Sequence, residues 1–475
     1  MSTDTADDRH YDLIIIGTGS GNSIPSPEFD DVRIALVEEG RFGGTCLNVG
    51  CIPTKMYVLA ADAARTVSEA ARLGVHAHVD SIDWDAIKER VFARRIDAIA
   101  DGGEAYRRGG QTPNIDVYDR HATFVGPRRI RTGQGDEEVE ITADQIIVAA
   151  GSRTSVPSFV TDSGVRYHTN KDIMRLEKLP EEMIILGGGF IATEFAHVFS
   201  SLGVDVHVIV RSGALNRQSD ADVSARFTEV ASRNWDVRLN TTITGLSEET
   251  RADGTRIVTA ALSDGTEVHG GAFLVATGRR PNGDLMDLPA GGIDVHDDGR
   301  IVVDEHGRTT AEGVWALGDV SSPHQLKHIA NHEAKVVFHN VAHPDDLRSF
   351  DHRYVPSAIF SHPQIGQVGL DEDAARRWAA DNGTDVTVKV QKYGDVAYGW
   401  ALEDGDGFAK LIADKKTGRL LGAHFLGEQA ATLVQQCIQM MAFEQDVREV
   451  VEKQHWIHPA LPEVIENAIL GLEFD

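Results

Sequence analysis

Two cysteines close together carry the sharpest chemical signal in the sequence. They stand in Gly43-Gly44-Thr45-Cys46-Leu47-Asn48-Val49-Gly50-Cys51-Ile52-Pro53-Thr54-Lys55. In a regular helix, residues at this spacing lie roughly 140° apart around the axis, with Cα atoms beyond the usual disulfide span of about 4.4–6.8 Å. A bridge therefore needs a distorted turn, for which Gly50 supplies the freedom. Pro53 suits the first turn of a helix continuing through Tyr57–Val67. Cys51 at that helix start is expected to favour its thiolate. A metal site needs further ligands at matching spacing, and none stands nearby. The pair therefore reads as a redox disulfide, with no metal. The isolated Cys437, within the apolar-periodic stretch 433–443, reads as core.

Two glycine-rich turns supply the second signal. The apolar run Tyr11–Ile16 ends in Gly17-Thr18-Gly19-Ser20-Gly21-Asn22, and a second strand, Val32–Val37, ends at Glu38. The same grammar returns at Met183–Leu186, followed by Gly187-Gly188-Gly189-Phe190-Ile191, a helix over Ile191–Leu202 and a strand over Val204–Val210. Strand, glycine turn, crossover, strand is the order of a dinucleotide-binding unit, in which pyrophosphate lies against backbone N–H groups at a helix start. Two such units imply two dinucleotides. Glu38 is placed to accept ribose hydroxyls. Asn22 stands where a third glycine is usual, and Pro25 and Pro27 interrupt the first crossover, so a short or irregular helix is expected there. In the second unit the strand is followed by Arg211, then Arg217. Two guanidiniums suit a 2′-phosphate where an acid would repel it, so NADPH is expected over NADH.

Further strands end in Ala149-Ala150-Gly151, Ala276-Thr277-Gly278-Arg279 and, after Val314–Leu317, Gly318-Asp319. From about His352 the texture changes to alternating strand patterns and amphipathic helices. Boundaries are expected near residues 152, 280 and 350. The 475 residues are too many for one core. With 46 basic against 73 acidic residues the formal charge is −27, which argues against nucleic acid or anionic membrane as partner. Bound anions must then be held by local cations. No apolar run approaches the roughly 20 residues that span a bilayer, and the polar start 1–10 lacks a signal-peptide pattern, so a cytoplasmic protein is expected.

These residues carry a resemblance. Gly-Gly-Thr-Cys-x4-Cys together with two nucleotide units resembles the pyridine nucleotide-disulfide oxidoreductases, over essentially the whole span from Tyr11 to Glu466. The implied fold is α/β, with two Rossmann-like dinucleotide-binding domains plus an α+β C-terminal dimerisation domain. Residues 1–152 would be the first part of the FAD-binding domain, 153–280 the NADPH-binding domain, 281–350 the FAD-binding or central domain and 351–475 the dimerisation domain. The resemblance implies that Cys46 attacks the substrate disulfide and Cys51 faces the flavin. It implies a Lys55–Glu194 ion pair beside the flavin, and Phe190 as an aromatic gate over the nicotinamide. FAD would be held by Gly17, Gly19, Gly21, Glu38, Gly44, Thr45, Gly151, Gly278, Gly318 and Asp319; NADPH by Gly187, Gly189, Phe190, Ile191, Arg211 and Arg217. In His458-Pro459-Ala460-Leu461-Pro462-Glu463 the prolines keep the stretch out of a regular helix. The matching family histidine is the acid-base group, oriented by the matching glutamate and reaching the other subunit of a homodimer. His458 and Glu463 would take those roles.

Within the family, the wording Gly-Thr-Gly-Ser-Gly-Asn-Ser at 17–23, Asp-Val-Ala-Tyr-Gly-Trp at 395–400 and Trp-Ile-His-Pro-Ala-Leu-Pro-Glu at 456–463 is similar to the branch that reduces mycothione. That substrate is the disulfide of a neutral cysteinyl pseudo-disaccharide. Tyr106 and its polar neighbours are expected to help line its site. A dihydrolipoamide dehydrogenase or a glutathione reductase-type enzyme is the alternative.

Overall fold

A computed structural model describes residues 9–133 and 137–474; the polar stretch before Arg9 lies outside the described residues. The first apolar run becomes β1 (His10–Ile16), paired in parallel with β2 (Ile34–Val37), which pairs in parallel with β3 (Ile115–Tyr118). On the other side of β1 runs β6 (Val139–Val148), also parallel. It is followed outward by the antiparallel β5 (Arg129–Thr132) and β4 (Ala122–Gly126). Every residue of β2 is buried, as a parallel strand covered on both faces requires. The late strand Val314–Ala316 returns to this sheet and pairs with β6.

Between these visits the chain builds a second parallel sheet. Its order is Asp236–Arg238, Asp205–Ile209, Glu182–Leu186, Ala272–Val275. The chain leaves the first unit through Ser152–Thr154 and comes back through Arg279–Pro281, and these two segments pair antiparallel. Beyond residue 355 a five-stranded antiparallel sheet forms, in the order 356–359, 364–369, 420–427, 408–414, 386–392. The alternation expected for this region is not reflected in burial. All seven residues of Phe408–Asp414 are buried, because helices cover both faces of that strand.

The first crossover is irregular, as Pro25 and Pro27 require. Only a 3₁₀ turn, Ser20–Asn22, follows the glycines, and Asn22 is held by Arg107, whose Nε donates to its Oδ1 at 2.8 Å. The second crossover is a regular helix, Phe190–Ser201. Cys437 is fully buried, and burial pushes its thiol up to about 12.

Candidate active site

The redox segment folds as two helices with a break between them. Cys46 lies in the short α1 (Gly44–Asn48), and Cys51 opens α2 (Cys51–Glu69). Asn48 locks the turn by donating from Nδ2 to the carbonyls of Phe42 at 2.9 Å and Gly44 at 3.1 Å. A Cβ on Gly50 would sit 2.9 Å from the Thr45 carbonyl oxygen, so only glycine lets the chain double back here. The two thiols meet, with Cys51 donating to Cys46. That hydrogen bond lowers Cys46 to about 7, against the opposing effect of burial; the charge of Lys327 and the N–H groups of Cys51 and Ile52 lower it further. Cys51 is raised, because it is the donor and is desolvated. The expectation that the helix start favours a Cys51 thiolate is therefore corrected. The free N–H groups at the start of α2 lower Cys46, and the Cys51 N–H lowers its own thiol too, but there the hydrogen bond given to Cys46 and burial outweigh it.

One turn into α2, Lys55 was expected to pair with Glu194. The structure sets Phe360 between them: Lys55 Nζ lies over its ring, 4.1 Å from the centroid, while its backbone N–H donates to Glu194 Oε1 at 2.9 Å. Among the described residues the two charges make no direct ion pair. Burial pushes Glu194 up to about 7, opposed by the Phe360 N–H and by the more distant charge of Lys55. Phe190 and Ile191 begin the helix that carries Glu194, and Phe190 is exposed.

The two glycine turns have the same construction. Gly17 has φ +104°, and a Cβ there would lie 2.3 Å from the Ala149 carbonyl oxygen; Gly187 has φ +136°, and its Cβ would lie 2.2 Å from that of Ala276. Each turn is thus pressed against the end of the adjacent strand, beside Gly151 in one case and Gly278 in the other. Around Gly189, Gly151 and Gly278 the space is open. Glu38 Oε2 accepts the N–H of Thr18 at 2.9 Å and its hydroxyl at 2.6 Å, and Oε1 accepts the N–H of Gly40 at 2.9 Å. A carboxylate offers about four acceptor positions, which leaves room for a ribose hydroxyl. Gly21 packs against the Ala149 and Ile15 side chains, while Gly19 lies against Gly44, so the first glycine turn touches the residue before Thr45.

Gly318 is fixed by its N–H to the buried Glu333 at 2.7 Å. Asp319 Oδ2 accepts the Ser152 hydroxyl at 2.6 Å, and Arg279 Nε donates to that same hydroxyl at 2.8 Å. Ser152, Arg279 and Glu333 escaped the sequence reading, although Arg279 directly follows the Thr277-Gly278 strand end. Arg211 and Arg217 are exposed, and among the described residues neither guanidinium has a hydrogen-bond or ion-pair partner.

Nδ1 of the exposed His458 lies 2.7 Å from Glu463 Oε1, at the start of the helix Glu463–Leu470. Among the described residues no hydrogen bond joins this imidazole to a thiol of its own subunit. Tyr106 is half-exposed near the end of the helix Asp97–Arg108, with Arg107 over its ring.

A family model described as pyridine nucleotide-disulphide oxidoreductase matches residues 11–335, and one described as the dimerisation domain of that family matches 355–469. The chain belongs to the pyridine nucleotide-disulphide oxidoreductases. It is 51% identical over 472 residues to a mycothione reductase of Mycobacterium tuberculosis, covering 97% of this chain and 99% of that one. It is 33% identical over 484 residues to a dihydrolipoyl dehydrogenase of Halobacterium salinarum, covering 96% of each. Among solved structures it resembles the HOCl-induced flavoprotein disulfide reductase RclA from Escherichia coli, with TM-score 0.83 and 26% identity over 98% of this chain and all of that one.

The chain is accordingly an FAD-dependent disulfide oxidoreductase that uses FAD and NADPH. The residues present fit both groups. Two cradles stand where backbone alone lines the turn, one closed by a carboxylate for ribose and the other flanked by two unpaired guanidiniums. No helix among the described residues is long and apolar enough to cross a membrane.

Proposed function

We propose that this protein reduces mycothione to mycothiol with NADPH, through FAD and the Cys46/Cys51 pair, as a homodimer whose active site is shared between subunits. The observation that carries the substrate is the 51% identity to a mycothione reductase along 97% of the chain. In this reading residues 1–152 and 281–350 hold FAD, 153–280 hold NADPH and 351–475 form the dimer contact, in the cytoplasm.

FAD, when bound, supplies the two-electron relay between NADPH and the disulfide. The chain's residues do the rest. Arg211 and Arg217 hold the 2′-phosphate, and Phe190 moves aside to admit the nicotinamide. Once the Cys46–Cys51 bond has been reduced, the Cys46 thiolate attacks one sulfur of the substrate. A Cys46–substrate disulfide forms and one thiolate leaves, taking a proton from His458 of the partner subunit. The Cys51 sulfur, as thiolate, then attacks Cys46, closing the intramolecular bond and expelling the second substrate thiolate, which is protonated in turn. Two electrons and two protons convert one disulfide into two thiols. The low pKa of Cys46 supports its role as attacking group.

The test compares NADPH oxidation by the purified yellow enzyme with mycothione, glutathione disulfide and lipoamide, with NADH as control. Preference for mycothione with NADPH is expected. Preference for lipoamide with NADH would overturn the substrate and coenzyme and leave the thiol chemistry intact.

A further inference from the structure

Lys327 opens the helix Lys327–Ala342, whose first N–H groups have no side-chain cap. Its Nζ donates to Ser20 Oγ at 2.9 Å, and Ser20 donates to Asn331 Oδ1 at 3.0 Å, one turn further along the same helix. Ser20 belongs to the first glycine turn. The adjacent Gly19 lies so close to α1 that a Cβ on Gly44 would be 2.7 Å from its Cα, and Gly44 stands two residues before Cys46. One turn of backbone therefore separates the ammonium from the redox turn, and its charge lowers the pKa of both thiols.

The other charged groups that face the thiols are committed elsewhere. Arg279 senses Cys51 but is bound to Ser152 and lies 3.7 Å from Asp319. Lys55 lies over Phe360, and Glu194, which also senses Cys51, opposes a thiolate when ionised. Among the described residues Lys327 has no carboxylate within ion-pair distance, and its one hydrogen-bond partner is a neutral hydroxyl. In a chain of charge −27, an uncompensated lysine beside a thiol pair has an evident counter-charge.

We propose that Lys327 is a positioning residue of the redox turn: its ammonium is the counter-ion of the thiolate that Cys46 and Cys51 share after reduction, and Ser20 anchors it there. The inference rests on the redox-dithiol reading of those cysteines. Lys327 keeps the attacking sulfur ionised at neutral pH, and through Ser20 it joins the first glycine turn to the helix that follows Asp319.

The test alkylates the holoenzyme with iodoacetamide across a range of pH after reduction by one equivalent of NADPH. The thiolate displaces iodide and becomes a thioether, and bound FAD is followed by its visible absorbance. The wild-type midpoint is expected near pH 7. Lys327→Met is expected to raise it, Lys327→Arg to restore most of the shift, and Ser20→Ala, which frees the ammonium without removing it, to give a smaller rise. Should Lys327→Met bind too little FAD, wild-type and variant apoproteins reduced with dithiothreitol are compared in the same way. An unchanged midpoint in the Met variant overturns the role of Lys327 and leaves the dithiol reading standing. A wild-type enzyme with no NADPH-dependent alkylation overturns the dithiol reading itself.

Discussion

Nδ1 of His458 lies 2.7 Å from Oε1 of Glu463, and the other oxygen of that carboxylate accepts the N–H of Ala460 at 3.2 Å. The carboxylate is thus fixed at two points, and it fixes the imidazole in turn, leaving Nε2 as the outward nitrogen. His458→Asn is expected to lower disulfide turnover by about 10²–10⁴-fold, the usual range for a general acid-base group. Glu463→Gln, which keeps a hydrogen-bonding group beside the imidazole, should cost less. In both variants stopped-flow reduction of the flavin by NADPH should keep its wild-type rate. A matching loss in that half-reaction would remove His458 from the thiol steps.

The contact between the two thiols leads to a second expectation. Cys51 donates to Cys46 and is the largest cause of its low pKa. Cys51→Ala removes the donor, so the alkylation midpoint of Cys46 should climb from about 7 toward the ordinary thiol value of about 8.5. Cys46→Ser should leave a yellow protein that NADPH still reduces but that turns over no disulfide. Turnover surviving in Cys46→Ser would contradict the order of attack proposed above.

The dinucleotide units, the broken turn between Cys46 and Cys51 and the irregular first crossover were all legible in the chain, because each rests on residues near in sequence. Apolar runs must become buried strands, a glycine is needed where backbones meet, and proline refuses helix. What escaped is made of contacts across hundreds of residues. Lys327 reaches Ser20 over 307 positions, Ser152 reaches Asp319 over 167 and Lys410 reaches Asp220 over 190. No periodicity marks such partners. The Lys55–Glu194 pair shows the converse failure: both residues meet Phe360, and its insertion from a distant loop could not be read from either helix.

The proposed coenzyme choice rests on Arg211 and Arg217, whose guanidiniums have no partner among the described residues. A hydrogen bond to a charged group contributes about 1.5–3 kcal/mol, and about 1.4 kcal/mol is tenfold in affinity. Arg211→Ala and Arg217→Ala should therefore each raise the KM for NADPH by roughly 10–100-fold and leave the KM for NADH and for the disulfide nearly unchanged. Equal losses with both coenzymes would mean that the arginines support the fold of the loop and do not read the 2′-phosphate.

The last expectation concerns the join between the second nucleotide unit and the five-stranded sheet. Lys410, with its side chain 2% exposed, meets Asp220 at 3.0 Å, Asp222 at 2.7 Å and Glu372 at 2.8 Å. Asp220 is itself buried and caps the helix Ala221–Asn234. Burial pushes Asp220 up, but the hydrogen bond from Lys410 and nearby charges outweigh it, and Glu372 is lowered chiefly by Lys410. Both carboxylates thus have folded values below their unfolded ones. The stability they contribute is present above the unfolded carboxylate range of about 4 and is lost as pH falls through the folded values. Lys410→Met leaves Asp220 buried without its cation, at a cost of about 3–5 kcal/mol, and should lower the melting temperature at pH 7. Below pH 4, where protonated carboxyls no longer need the lysine, the gap between variant and wild type should narrow. A gap constant from pH 7 down to acid would assign the effect to packing of the lysine stem and not to its charge.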